Sequence, residues 1–235
     1  MKKPRDWRDR PRSSVGHVLD LLLPRRCLVC DAAGTLLCAA CRARLPALTP
    51  PLCGRCGAPT AWPVARCNEC AGRQLGFASA RAAVAYDADV RRIVRGWKER
   101  GLRGLAREAA SVIVERLPRA DVDLVTFVPA DGERRLRRGY HPAEQLARAL
   151  ADSWQLPCEP LLTRVGRTRR QRGLSLLERR RNVAHAFASR PFQGAVLLVD
   201  DVYTTGATAH AAAWALRTRV EVVTFARAIR SPRLG

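Results

Sequence analysis

The sequence predicts an α/β fold: a mainly parallel sheet flanked by helices, with a small cysteine-rich zinc-ribbon module on its N-terminal side. Three observations predict it. From residue 77 onward, short apolar runs alternate with segments of helical spacing. Between residues 27 and 70, eight cysteines fall into four Cys-x₂-Cys pairs. Near the C-terminal end, the apolar run Val196 to Val199 leads directly into Asp200-Asp201 and then Thr204-Thr205-Gly206. The divisions that follow are a basic tail with a short amphipathic helix over 1–26, a double zinc ribbon over 27–72, and the larger domain over 77–235.

In the larger domain, strands are expected at Ala80 to Tyr86, Asp123 to Pro129, Glu159 to Arg164, Val196 to Val199 and Val220 to Arg227. Helices are expected from Val90 to Trp97, over 102–117, from Pro142 to Trp154 and from Ala207 to Arg217. Pro142 suits a first helical turn, where its missing N–H costs nothing. Ligands of such sheets sit beyond the carboxyl ends of the strands. Both the Asp-Asp turn and the loop after Val128 lie at such ends.

The turn after Val199 has the chemistry of a phosphorylated-sugar site. Thr204, Thr205 and Thr208 offer hydroxyls. Gly206 lets the backbone curl so that N–H groups converge on one anion, and the helix that follows adds its positive dipole end. Asp200 and Asp201 repel phosphate and suit ribose hydroxyls or a hydrated Mg²⁺. The loop after Pro129 carries Arg134, Arg135, Arg137 and Arg138, whose forked guanidinium groups match diphosphate oxygens or form a solvated basic loop. The Arg-rich stretch from Thr163 to Val183, with Arg169 and Arg170, reads as a lid or a surface linker.

Each Cys-x₂-Cys pair lets two sulfurs meet one ion from a tight knuckle, and two knuckles complete a tetrahedral site. The eight ligands are Cys27, Cys30, Cys38, Cys41, Cys53, Cys56, Cys67 and Cys70. Sequential pairing gives two compact Cys₄ ribbons, and an interleaved cross-brace is the alternative. All-thiolate ligation closes the shell, so two structural Zn²⁺ are expected rather than catalytic ones. Few large apolar residues lie in this stretch, so metal is what folds it. Cys158 stands alone and reads as a half-buried thiol.

The formal net charge is +21, and all but three of the 42 basic residues are arginine. Such a surface attracts phosphates, including those of single-stranded DNA. An Arg- and Ala-rich, Lys-poor composition also follows from a GC-rich genome. The apolar run at Val18 to Leu23 is interrupted by Asp20 and is too short to span a membrane. No membrane insertion and a cytoplasmic location are expected.

The Val196–Thr208 segment resembles the 5-phosphoribosyl-1-diphosphate (PRPP) signature of the type I phosphoribosyltransferases. The chain as a whole resembles the ComF family, linked to competence and DNA uptake. The parts of that resemblance are the cysteine pairs, Trp97-Lys98 with Gly101, Val128-Pro129, Arg138-Gly139-Tyr140, Gln171-x₂-Leu174, Arg181-Asn182-Val183 and the signature, in that order. Two positions depart from the family pattern: Tyr140-His141 replaces Phe-Asn, and Ala130 precedes Asp131.

The resemblance implies a type I phosphoribosyltransferase-like fold that binds PRPP with Mg²⁺ through Asp200, Asp201, Val202, Tyr203, Thr204, Thr205, Gly206, Ala207 and Thr208. Asp200 and Asp201 become the catalytic candidates. Lys98, Arg134, Arg135, Arg138, Arg169 and Arg170 become candidates for diphosphate or lid contacts. The implied role is in DNA uptake, alongside other DNA-uptake proteins, with phosphoribosyl transfer to an unknown acceptor. A non-catalytic protein binding PRPP and single-stranded DNA is the first alternative, and a nucleobase-salvage transferase is the second. No base-recognition motif is evident.

Overall fold

A computed structural model describes residues 25–130, 139–165 and 186–229. Its centre is a four-stranded parallel sheet in the order β1-β6-β5-β2. These strands are β1 (Ser79–Ala85), β2 (Leu124–Phe127), β5 (Val196–Tyr203) and β6 (Val220–Arg227). A separate antiparallel pair joins β3 (Leu162–Arg164) to β4 (Phe187–Ser189). The helices are α1 (Ala39–Ala43), α2 (Ala88–Glu99), α3 (Leu105–Arg116), α4 (Pro142–Trp154) and α5 (Ala207–Leu216).

The apolar runs form strands because both faces of the sheet are covered, as parallel pairing requires. Val196, Leu197, Leu198 and Val199 are all fully buried. Burial of each contributes about 1.5–3 kcal/mol. Helix α2 starts at Asp87, whose side chain accepts the Val90 N–H at 2.8 Å. It buries Val90, Ile93, Val94 and Trp97 at helical spacing. Helix α4 starts on His141 with Pro142 in its first turn. Helix α5 is alanine-rich and sits tightly in the fold, with Ala209, Ala211, Ala212 and Ala213 all buried.

The expected elements are present, with two differences. The strand expected over Glu159 to Arg164 is shorter, with only Leu162–Arg164 forming β3. Cys158 makes a single parallel bridge to Val125 beside β2, and β3 then turns away to pair with β4. Pro157 and Pro160 flank the bridge and lack the N–H groups a continuing ladder needs. The strand expected to stop at Val199 runs on to Tyr203, because Asp200 and Val202 still pair with Thr224 and Ala226 of β6. The amphipathic helix expected over the first residues lies outside the described residues. Among the described residues, no helix is long and apolar enough to cross a membrane.

The cysteine-rich segment is packed into the larger domain at two places. Cys27, Leu37, Cys41 and Leu45 share one core with α2, α3 and α4. Arg42 reinforces this contact through Glu108 at 3.2 Å and Glu115 at 2.5 Å. Cys53, Cys56, Ala58 and Cys70 share the other core with β5, β6 and α5. At the second contact, Gly57 has φ +69°, and a Cβ there would lie 2.5 Å from the Ala80 carbonyl oxygen. Gly57→Ala is therefore expected to cost at least about 2 kcal/mol, from left-handed strain plus a backbone clash. Thermal or urea unfolding checks this, and an unchanged midpoint would contradict it.

Candidate phosphate turn and metal centres

The cysteines form two sequential sets. The sulfurs of Cys27, Cys30, Cys38 and Cys41 lie within 4.8 Å of one another, as do those of Cys53, Cys56, Cys67 and Cys70. A tetrahedral zinc with bonds near 2.3 Å holds its sulfurs about 3.8 Å apart. Contacts of 3.6 Å for Cys30–Cys38, 3.6 Å for Cys53–Cys70 and 3.5 Å for Cys56–Cys67 fit that spacing. Backbone N–H groups also point at the sulfurs, from Cys41 to Cys38 at 3.4 Å and from Cys67 to Cys53 at 3.2 Å. Burial pushes the Cys27 and Cys53 thiols up, yet converging N–H donors bring both down to about 6. The interleaved cross-brace is ruled out by this geometry. Both sets suit structural zinc.

The turn after β5 lies at the carboxyl end of the sheet. Thr204, Thr205 and Thr208 are exposed, and Gly206 is buried. Gly206 has φ +73° and heads α5 with no side-chain cap. A Cβ at this position would overlap the Tyr203 ring, so glycine is required twice over. The Thr205 hydroxyl accepts the Ala207 N–H at 3.3 Å. A small cavity beside the turn is lined by Asp200, Val202, Thr204, Gly206, Thr208 and Thr224, among others.

Because β5 continues through both acids, Asp200 and Asp201 lie on opposite faces. Asp200 lines the cavity. Asp201 is buried and ion-paired to Lys98 of α2 at 2.7 Å. Trp97, fully buried beside it, fixes the helix that carries Lys98. Burial pushes the Asp200 carboxyl up to about 7, with the Asp201 charge adding to the rise. The Asp201 N–H, Lys98 and Arg164 pull the other way.

Arg134, Arg135, Arg138, Arg169 and Arg170 lie outside the described residues. Lys98 is brought to the acids. His141, standing where the resemblance expects Asn, takes over a capping role. Its Nδ1 accepts the Glu144 N–H at 3.0 Å, and its Nε2 faces the Ala130 N–H at 2.5 Å. A neutral imidazole has one accepting nitrogen, so it accepts only one of these two N–H groups in a given tautomer. Tyr140 is buried, donates its hydroxyl to the Trp97 carbonyl, and lies under Arg103 at 5.2 Å. Cys158 is half-buried, and burial pushes its thiol up to about 11 against the pull of Arg148. It is a thiol at neutral pH.

Sequence reasoning missed Arg73 and Arg227. Arg73 donates to the Thr205 carbonyl at 3.1 Å from the far side of the cysteine-rich segment. Arg227 ends β6 beneath the turn, 4.6 Å from the Tyr203 ring centre. An arginine closing a mostly apolar strand at the carboxyl edge was the available signal for Arg227. Arg73 had none.

The fold and the two cysteine sets define a parallel-sheet α/β domain joined to a double-zinc-ribbon module. The double zinc ribbon domain family matches residues 18–71. The chain is 29% identical over 205 residues to Competence protein F of Haemophilus influenzae, covering 78% of this chain and 86% of that protein. It is also 29% identical over 204 residues to the DNA utilization protein YhgH of Salmonella typhimurium, covering 80% and 88%. A glutamine PRPP amidotransferase from B. subtilis, complexed with ADP and GMP, aligns over 50% of this chain and 26% of its own at 20% identity. Its TM-score is 0.33, too slight a likeness to argue from. The double zinc ribbon match and these two relatives support the resemblance of the chain to the ComF family.

Two zinc ions per chain are expected by elemental analysis of the purified protein, falling to one in Cys53→Ser. Retention of two in that variant would contradict the ligand assignment. The raised Asp200 pKa gives a second expectation. The folded state keeps this proton up to about 7, whereas the unfolded chain releases it near 3.8. The contribution to stability is therefore full below 3.8 and lost as pH rises through 7. Asp200→Asn should melt higher than the ligand-free parent, by a margin that widens from pH 5 to 7.5 and then levels off. A margin independent of pH would contradict the shift.

Proposed function

We propose that the protein binds PRPP with Mg²⁺ at the turn from Asp200 to Thr208, transfers its phosphoribosyl group to an acceptor, and serves DNA uptake. The observation that carries this reading is the turn itself: exposed Thr204, Thr205 and Thr208 around Gly206 at the head of α5, beside the carboxylate of Asp200. The 5-phosphate is held by the threonine hydroxyls and the first N–H groups of α5. The ribose hydroxyls fall to Asp200. Asp201 is held by Lys98 at 2.7 Å, within reach of the same edge of the sheet.

Among the described residues, the clusters of three or more His, Cys, Asp or Glu are the two cysteine sets. Asp200 is the carboxylate that would reach a Mg²⁺ at the turn, and the diphosphate of the ligand would supply further oxygens. When bound, the ion offsets charge that builds on the departing diphosphate. Asp200 has the converse task. Its carboxylate is costly in the ligand-free protein, as its raised pKa records, and gains a partner when positive charge develops at the ribose. Lys98, Arg134, Arg135 and Arg138 are proposed for the diphosphate, and Arg169 and Arg170 for the lid.

The relatives named for competence and for DNA utilization support a place in DNA uptake. The net charge of +21 supports a phosphate-rich partner such as single-stranded DNA. Calorimetry with PRPP and Mg²⁺ is expected to detect binding to the parent protein and none to the double variant Asp200→Asn with Asp201→Asn. Fluorescence anisotropy with a single-stranded oligonucleotide should give equal affinities for the two proteins, each falling steeply with salt. Unchanged PRPP affinity in the double variant would remove the site assignment, and salt-independent or absent DNA binding would remove the DNA partner.

A further inference from the structure

The turn after β5 packs over the second cysteine set, and one buried arginine links the two directly. Arg227 is 1% exposed. It is the last residue of β6 and pairs across the sheet with Tyr203, the last residue of β5. Its guanidinium lies 4.6 Å from the centre of the Tyr203 ring. From the same fork, one nitrogen donates to the Cys56 carbonyl at 2.6 Å. The other donates to the Cys56 Sγ at 3.8 Å and to Glu69 at 2.7 Å. Cys56 belongs to the second Cys₄ set, and Glu69 sits between two further members, Cys67 and Cys70.

The Tyr203 ring in turn controls the turn. It occupies the space a Gly206 Cβ would need, and the Phe77 ring meets it edge-on at 6.3 Å between centres. The ring is thus fixed by Phe77 and Arg227, and Gly206 at the head of α5 is packed against it. A second tether runs the same way. One Arg73 nitrogen donates to the Glu69 carbonyl at 3.2 Å and the Thr205 carbonyl at 3.1 Å. The first cysteine set makes its contacts elsewhere, against α2 and α3.

We propose that Arg227 is a positioning residue through which the second Cys₄ set holds the phosphate turn in its binding shape. A planar fork can stack on one ring while donating to a carbonyl, a thiolate and a carboxylate; a lysine cannot make all four contacts. Loss of order in the second ribbon therefore loosens the turn, while loss of order in the first does not act through this connection. This inference rests on the turn being a phosphate site, but its structural half stands without ligand.

Hydrogen exchange and calorimetry on the full-length zinc-loaded protein test it. In Arg227→Met, amide exchange over residues 203–207 is expected to rise about tenfold, and the PRPP dissociation constant to rise by a similar factor. Exchange over α3 and a zinc content of two per chain should not change. Arg227→Lys should recover part of the loss, because it keeps the charge near Tyr203 and Glu69. Glu69→Gln should loosen the same residues to a smaller degree. If Arg227→Met does not fold, Glu69→Gln alone decides. Unchanged exchange over 203–207 would overturn the proposal, as would an increase shared equally by α3. Failure of the parent protein to bind PRPP would sink the proposed function instead, leaving the exchange result to judge Arg227.

Discussion

Strand β5 is paired on both sides, with β6 and with β2, and it stays paired through two consecutive carboxylates. Much of the site follows from that constraint. A strand sends successive side chains to opposite faces, so adjacent acids cannot share one task. Asp201 goes to the α2 side, where Lys98 neutralises it. Asp200 goes to the cavity side, where burial and its neighbour make its charge expensive. Two chemically identical residues are thereby given different roles by one period of the backbone.

The end of the same strand sets the turn. Tyr203 closes β5 and Arg227 closes β6 in matching register, so the aromatic ring and the guanidinium meet at the sheet's carboxyl edge. The ribbon carrying Cys56 packs against the start of β1, where Gly57 leaves room for the Ala80 carbonyl, and the Arg227 side chain reaches back to the Cys56 carbonyl. The second cysteine set thus reaches the turn after β5 through packing and hydrogen bonds. The Cys56 sulfur accepts a hydrogen bond from Arg227, which carries the connection into the domain.

The cysteine sets also explain how a segment with few large apolar residues stays folded. Each set supplies its own cross-link, and each lends cysteines to a core built mostly by the larger domain. The ribbons are therefore continuous with the domain's two cores. His141 is a smaller instance of the same economy. Its imidazole does the work of an amide at the head of α4 while also facing the root of the adjacent loop.

The sequence by itself determined the local chemistry: the four cysteine knuckles, the order of strands and helices, and the Thr-Thr-Gly turn after two acids. These are legible because zinc ligation, hydrophobic period and turn geometry depend on residues close together in the chain. The tertiary structure decided where β5 ends, since only pairing with Thr224 and Ala226 carries it past Val199. It also shortened the strand after Glu159 to Leu162–Arg164, which pairs with β4 and not with β2. It chose sequential cysteine pairing over the cross-brace, a matter of distances between knuckles. And it brought Arg73 and Arg227 to the turn from positions far along the chain, as long-range packing does and sequence spacing cannot.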